Sequence, residues 1–419
     1  MRGLPQALCA PLPCLARRWP EQTRKCLPRL ALLVYSTALV LLLILSEVFS
    51  SNLQSTLPGF CSVARLALTG CAALLLLAKI CLLTDYEARW QPLAMAAALA
   101  FAALAVLRGH DQWFVLALLL GFGAKGLDVH RVLRVYLAAA AGGLLLVQLL
   151  HYATPLVPFT FYARGWDYGY GHYNGYGARL LGVFLAWAWL RFGRMRWFDW
   201  AGLGALLLYT TLGPGARGAM GAMALGLVLL ALQRLLPRLF AGKGLYAPVL
   251  AAMPVLLAAS LWLGYAFDPN HPERTPVLTA ISRALSGRLE VWHHVFWSFS
   301  YTHPAEEGAA AWLHEGMPHV VTLLGGFATD ADVHHAIDNT YLAVIMNKGI
   351  LGAVLIFGAL LLLLFRLCRR RQTGALLLCV VLMAYLLMEN KLFLVSAHPL
   401  FLLLPVLLEV PKAKTFKST

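Results

Sequence analysis

The sequence predicts an all-α fold: a polytopic membrane helix bundle of about 12 transmembrane helices with one large helical loop. Three observations predict it. The chain is 60% hydrophobic and 13% charged, whereas a soluble domain carries about 25% charged residues. Apolar runs recur along its whole length, most of them near the ~20 residues that span a bilayer as a helix. Between them lies a single long polar interval, residues 268-339, which holds eight of the thirteen histidines.

Residues 1-29 form a basic tail (Arg2, Arg17, Arg18, Arg24, Lys25, Arg29) assigned to the cytoplasm. Residues 30-267 carry helices one to nine, as apolar runs at 30-49, 63-83, 92-107, 113-123, 135-152, 177-192, 198-212, 218-236 and 247-267. The first run follows the basic tail and is long enough to span, so it reads as a helix and not as a cleavable signal. Residues 268-339 are the large loop. Residues 340-410 carry helices ten to twelve (340-365, 375-389, 393-410), and 411-419 are a cytoplasmic C-terminal tail. Several runs are short for a crossing, so their ends recruit flanking residues or they tilt, break or re-enter.

Alternating the loops from a cytoplasmic N-terminus puts 23 basic residues inside and 10 outside, with Lys79 left within a run. Orientation follows such a Lys/Arg excess, so both termini lie inside and 268-339 lies outside, which in a bacterium is the periplasm. The net charge of +15 sits in short clusters between apolar runs, a topology pattern and not a nucleic-acid surface. The eight cysteines avoid the polar interval, which argues against a disulfide framework or a Cys-built zinc site there.

Arginines on the outer side are exceptions to the positive-inside rule. An ionisable side chain at the membrane edge is costly unless paired, and the bland explanation is a snorkelling interface anchor. Arg217 in TTLGPGARGAMGAM and Arg288 in SGRLEVW are the sharpest cases. Asp330-Ala331-Asp332, with His334 and His335 after it, is a D-x-D triplet. Its oxygen ligands suit Mg or Mn, or it is a solvated loop. Glu389 pairs with Lys391 or with a cavity arginine and reads as structural. The aromatic stretch at 158-177, with Arg164 and Asp167, suits stacking on sugar rings equally with an interfacial belt.

Three stretches together resemble the O-antigen ligase and polymerase superfamily of bacterial membrane glycosyltransferases, and a fourth does so loosely. YTTLGPGARGAMGAMALG is similar to the family's Ser/Thr-Arg-Gly-Ala run, with Arg217 as its arginine. SGRLEVWHHVFWSFSYTHP is similar to the start of the large periplasmic loop, with Arg288 as its arginine. DNTYLAVIMNKGILGAVL is similar to the family's His-Asn followed, nine residues on, by Gly-x-x-Gly; Asn339, Gly349 and Gly352 fit that spacing. GYGHYNGYGARLLG loosely resembles an earlier glycine-asparagine signature, with Asn174 as the asparagine. One position departs: Asp338 stands where the family has histidine. Three readings stay open: Asp338 is the base, His335 or His334 is, or the pattern is altered here. On a helix, His335 and His334 would share a face with Asp338.

The resemblance implies a GT-C-like architecture and an O-antigen ligase. Such an enzyme transfers glycan from undecaprenyl pyrophosphate to a lipid A-core acceptor, with inversion, at the periplasmic side of a Gram-negative inner membrane. It implies no cofactor. Asp338 with His335 deprotonates the acceptor, Arg217 and Arg288 stabilise the leaving pyrophosphate through bidentate charge-assisted hydrogen bonds, and Asn339, Asn174, Tyr341 and His334 line the substrate site. The expected partners are the lipid-linked glycan, the acceptor and membrane lipids, with no nucleic acid. The alternatives are an O-antigen polymerase or protein O-oligosaccharyltransferase of the same superfamily, and, from another class, a 12-span transporter. A transporter would carry charges near the bilayer midplane and related halves; no repeat between halves is evident in the sequence.

Overall fold

A computed structural model describes residues 10–18, 20–21, 25–109, 112–162, 164–296, 323–325 and 337–409 of the 419. These are overwhelmingly helical. The main helices are α1 (Leu27–Glu47), α2 (Pro58–Leu82), α3 (Trp90–Gly109), α4 (Gln112–Gly123), α5 (Val129–Ala153), α6 (Tyr173–Arg191), α7 (Trp197–Leu212), α8 (Arg217–Leu235), α9 (Tyr246–Ala266), α10 (Pro276–Ala284), α11 (Arg288–Phe296), α12 (Thr340–Arg369) and α13 (Thr373–Leu386). One two-stranded hairpin, Phe161–Tyr162 with Gly165–Trp166, interrupts them. Among the described residues, seven helices (α1, α2, α3, α5, α8, α9 and α12) are long and apolar enough to cross a membrane; α4 and α13 are shorter apolar helices.

Local chemistry sets the helix starts. Proline occupies the first turn of α1, α2 and α10, where its missing N–H costs nothing. Asp128 caps α5 by accepting from the amides of His130 and Arg131, and Asn339 caps α12 by accepting from Tyr341 and Leu342. Each cap satisfies amides that have no partner inside the helix, worth about 1 kcal/mol. Arg366 and Arg369 lie in the last turn of α12, where positive charge complements the helix dipole.

Eleven of the twelve apolar runs coincide with helices; the twelfth, 393-410, does not. It forms two 3-10 turns, Val395–Ala397 and Leu400–Leu403, and the short helix Pro405–Leu408. The cause is proline. Pro399 and Pro405 lack the N–H a helix needs and crowd the preceding turn. His398, ahead of Pro399, is extended (φ −169°, ψ 151°), as pre-proline residues prefer. The carbonyls this leaves unpaired are met by other segments. Tyr136 Oη donates to Val395 O and Ser396 O, both at 3.0 Å, and Gln91 Nε2 donates to Leu408 O at 2.6 Å. Gly182 allows the approach, since a Cβ there would lie 2.0 Å from the Ser396 carbonyl oxygen.

The chain divides into two compact units. One comprises Met1–Ala103, Gln112–Arg217 and Phe393–Thr419; the other comprises Leu104–Asp111 and Gly218–Leu392. The first is built on a large apolar core that includes Tyr35, Leu39, Leu42, Leu76, Leu120, Tyr136 and Phe401. The second has a smaller core of Phe267, Leu278, Leu289, Trp292, Leu342 and Met346. That core joins the described part of the polar interval to α9 and α12.

Helix α12 is broken at Gly349 (φ 71°, ψ −177°). Residues 323–325 of the polar interval lie in the break, and Leu351 N donates to Leu323 O at 3.1 Å. A Cβ on Gly349 would come within 2.3 Å of Gly325 N, and one on Gly325 within 2.4 Å of Asn347 O. Both positions also have positive φ. Glycine is needed there for conformation and for space.

Candidate active site

Arg288 reaches its position through a tight reversal. Helix α10 ends at Ala284, Ser286 and Gly287 are both left-handed (φ 67° and 81°), and Gly287 N donates back to Ser282 O at 2.7 Å. Gly287 suits that backbone freely, while Ser286 holds it at a cost. Helix α11 then starts at Arg288. Leu289 and Trp292, three apart on one face, are wholly buried in the core of the second unit, and this fixes the rotation of the helix about its axis.

The guanidinium of Arg288 is bracketed by two carboxylates. Nη2 lies 2.7 Å from Glu389 Oε1 as a hydrogen bond, and both side chains are almost fully buried. Nη1 lies 3.3 Å from Asp338 Oδ2, whose side chain is 37% exposed. Nη1 makes no aligned hydrogen bond, so this second contact is Coulombic. Burial pushes the Glu389 carboxyl above the usual glutamate range, a rise that Arg288 beside it opposes.

Three consecutive residues build the other wall. Asp338 faces Arg288. Asn339 is fully buried; its oxygen caps α12 and its amide donates to Ser260 Oγ at 3.0 Å. Thr340 Oγ1 donates to the backbone carbonyl of Glu389 at 2.7 Å. The Asp-Asn-Thr triplet thereby ties the end of the polar interval to α9, to Arg288 and to the residue after α13 that holds Arg288. Ile337, Asp338 and Asn339 are not helical. The helix starts only after the asparagine cap, at Thr340.

The remaining candidates divide. Arg217 is exposed and opens α8, after Gly215 at φ +64°. Its chain neighbour Gly218 packs against Glu389, with a Cβ there 3.4 Å from Glu389 Cγ. Tyr341 is a packing residue: its hydroxyl donates to Met383 O at 3.1 Å and its ring stacks on Phe357. Asn174 is half-buried in the first turn of α6, in the other unit. His334, His335, Asp330 and Asp332 lie outside the described residues. Among the described residues, no three His, Cys, Asp or Glu side chains converge to hold a metal ion.

His293, five residues after Arg288, is buried in α11 with its ring edge-on to Phe267. Desolvation holds its imidazole below the usual histidine range, against the backbone carbonyls and Asp268 that favour the charged form. Asp167 of the aromatic stretch is fully buried. It accepts from the backbone amides of Thr160 and Gly169 and from Asn52 Nδ2, so it holds the aromatic hairpin together.

Sequence reasoning placed Glu389 in the structural class with two possible partners; the one it takes is Arg288. It also missed Ser260 and Thr340, because a serine in an apolar helix and a threonine at a helix start carry no distinctive pattern. The Asn339 cap was readable from a polar residue standing just before an apolar run. Comparison of the chain with protein-family models, with curated proteins and with solved structures gave no match.

Proposed function

We propose that the protein is an inverting membrane glycosyltransferase. It transfers an O-antigen glycan from undecaprenyl pyrophosphate to a lipid A-core acceptor at the periplasmic face of the inner membrane of a Gram-negative bacterium. The observation that carries this reading is the Arg288 junction: a buried arginine with one shielded carboxylate partner and one accessible carboxylate partner. An anion-stabilising group and a candidate base thus stand side by side, as glycosyl transfer requires.

In the proposed reaction the acceptor hydroxyl loses its proton to Asp338, alone or with His335, and its oxygen bonds to the anomeric carbon. The bond from that carbon to the pyrophosphate oxygen breaks, and undecaprenyl pyrophosphate leaves with the electron pair. Arg288 and Arg217 stabilise the charge that develops on the leaving oxygens. The planar guanidinium fits phosphate oxygens bidentately and stays charged, which lysine does less well. Asn339 acts by capping the helix after Asp338, and Tyr341 by packing that helix start against Met383 and Phe357. A divalent ion at Asp330 and Asp332 is the rival source of that stabilisation.

Reconstitution of the purified chain with undecaprenyl pyrophosphate-linked glycan and lipid A-core tests the reading. A covalent lipopolysaccharide product supports it. Donor consumption that lengthens the glycan and leaves the acceptor bare points to a polymerase, and modification of protein hydroxyls points to an oligosaccharyltransferase. If neither donor nor acceptor is changed, the enzyme reading is wrong.

A second reading, transport of a lipid-linked glycan, is favoured by a different observation. The first unit holds the buried pair Arg179–Glu47 at 3.1 Å, within helices α6 and α1, together with the broken segment after Phe393. Intramembrane charges and discontinuous helices mark many transport sites. A vesicle assay for movement of the lipid-linked glycan across the bilayer separates the two.

A further inference from the structure

The two carboxylates on Arg288 are not equivalent, and the difference points to a function for each. Glu389 binds Nη2 at 2.7 Å with good alignment, deep in the protein. Its own backbone is held on both sides: its amide donates to Tyr385 O at 3.1 Å, and its carbonyl accepts from Thr340 Oγ1 at 2.7 Å. Gly218 closes in on its side chain from α8. Asp338 differs on each count. It lies 3.3 Å from Nη1 without hydrogen-bond alignment, its side chain is 37% exposed, and its backbone belongs to a non-helical stretch ahead of α12.

A misaligned ion pair with a part-exposed carboxylate contributes less than an aligned, buried one, whose breaking is costly. Any anion arriving at Arg288 therefore replaces Asp338 and leaves Glu389 in place.

We infer that Arg288 exchanges partners, giving up Asp338 to a pyrophosphate-bearing ligand while Glu389 keeps the guanidinium aimed. Glu389 is on this account a positioning residue, and Asp338 is a displaceable occupant of the anion site. The exchange rests on the pyrophosphate reading of this site and deepens it. Donor binding is what sets the Asp338 carboxylate free to accept a proton, so the donor binds before the acceptor can react.

Calorimetric titration of the full-length chain in detergent with inorganic pyrophosphate tests the exchange, with Arg288→Ala, Asp338→Asn and Glu389→Gln as variants. Asp338→Asn removes the competing charge and should bind pyrophosphate roughly five- to tenfold more tightly than the parent protein. Glu389→Gln should bind no more tightly than the parent, and Arg288→Ala should lose binding. The exchange is overturned if Asp338→Asn does not tighten binding, or if Glu389→Gln tightens it equally, since generic loss of negative charge then explains both. If Glu389→Gln does not fold, Asp338→Asn against the parent decides alone. Glycan transfer by the parent protein is measured in parallel. Tightening without any transfer keeps the exchange and removes the glycosyltransferase reading; transfer without tightening does the reverse.

Discussion

Two arginines in this chain each meet a buried glutamate, with opposite outcomes. Arg179 is enclosed by buried partners, although its Nε, like Nη1 of Arg288, makes no aligned hydrogen bond. It pairs with Glu47 at 3.1 Å, donates to Gly175 O and Ser46 O at 2.8 Å each, and lies over the Tyr170 ring at 4.2 Å. Tyr170 in turn donates to Glu47 Oε2 at 3.1 Å. Arg288 has one such partner and one loose one. An arginine whose carboxylate partner is buried gives an arriving ligand nothing to displace and acts as a clamp. An arginine with one weak, accessible partner can trade it. Burial alone does not separate the two, since both guanidinium groups are almost fully inside; the state of the second partner does.

The largest effect that would sharpen this contrast is on folding. Arg179→Ala leaves Glu47 uncompensated in the interior and should cost about 3–5 kcal/mol of stability. In detergent melting it should appear as lost yield or a strongly lowered melting temperature; a variant that purifies and melts like the parent would contradict the clamp. Arg288→Ala also breaks a buried pair, with Glu389, and should lower the melting temperature too, but by less, since its other partner Asp338 is part-exposed. Glycan transfer should fall by about 10²–10³, the loss of one charge-stabilising group, and Arg217→Ala should behave alike. Near-normal transfer by both would sink the pyrophosphate role.

Next in size is Asp338→His. It removes the carboxylate that occupies Arg288 and supplies the residue that the resemblance expects. The imidazole is itself a competent base, so transfer should stay within about tenfold of the parent, whereas Asp338→Ala should lose about 10²–10⁴; equal loss in both would show that the carboxylate itself is required. The smallest effect concerns acidity. The His293 imidazole is held below its unfolded value near 6.5, so the folded state binds fewer protons there than the unfolded one. Stability is therefore full above that value and declines as pH falls from it toward the folded pKa. His293→Phe should flatten the melting temperature across that window, and an unchanged slope would show that another group titrates.

Much of the helical framework was legible because hydrophobic runs and polar caps are local properties. Eleven runs became helices, and Asp128 and Asn339 stand where a cap belongs. Two parts of the site, Arg288 and Asp338, were legible from pattern. Glu389 was harder, since it lies 101 residues beyond Arg288 and no spacing rule joins them. Asn339 and Tyr341 were read as substrate contacts, yet their polar atoms are taken up by Ser260, the cap amides and Met383. A motif marks that a residue matters at a junction without saying whether it faces inward or outward. The twelfth run failed for another reason: hydropathy records where a side chain prefers to be, and prolines decide whether the backbone there can supply its own hydrogen bonds.

That last run has a consequence for how damage would spread. A helix is self-sufficient in hydrogen bonds, so a lesion in one stays largely its own. The stretch after Phe393 borrows its support, its carbonyls resting on Tyr136, some 260 positions earlier, and on Gln91, more than 300 earlier. Only a buried setting permits such backbone in an apolar environment. A change as slight as Tyr136→Phe would remove one hydroxyl from α5 and be felt first at the far end of the chain, where protease sensitivity, and not activity, would register it.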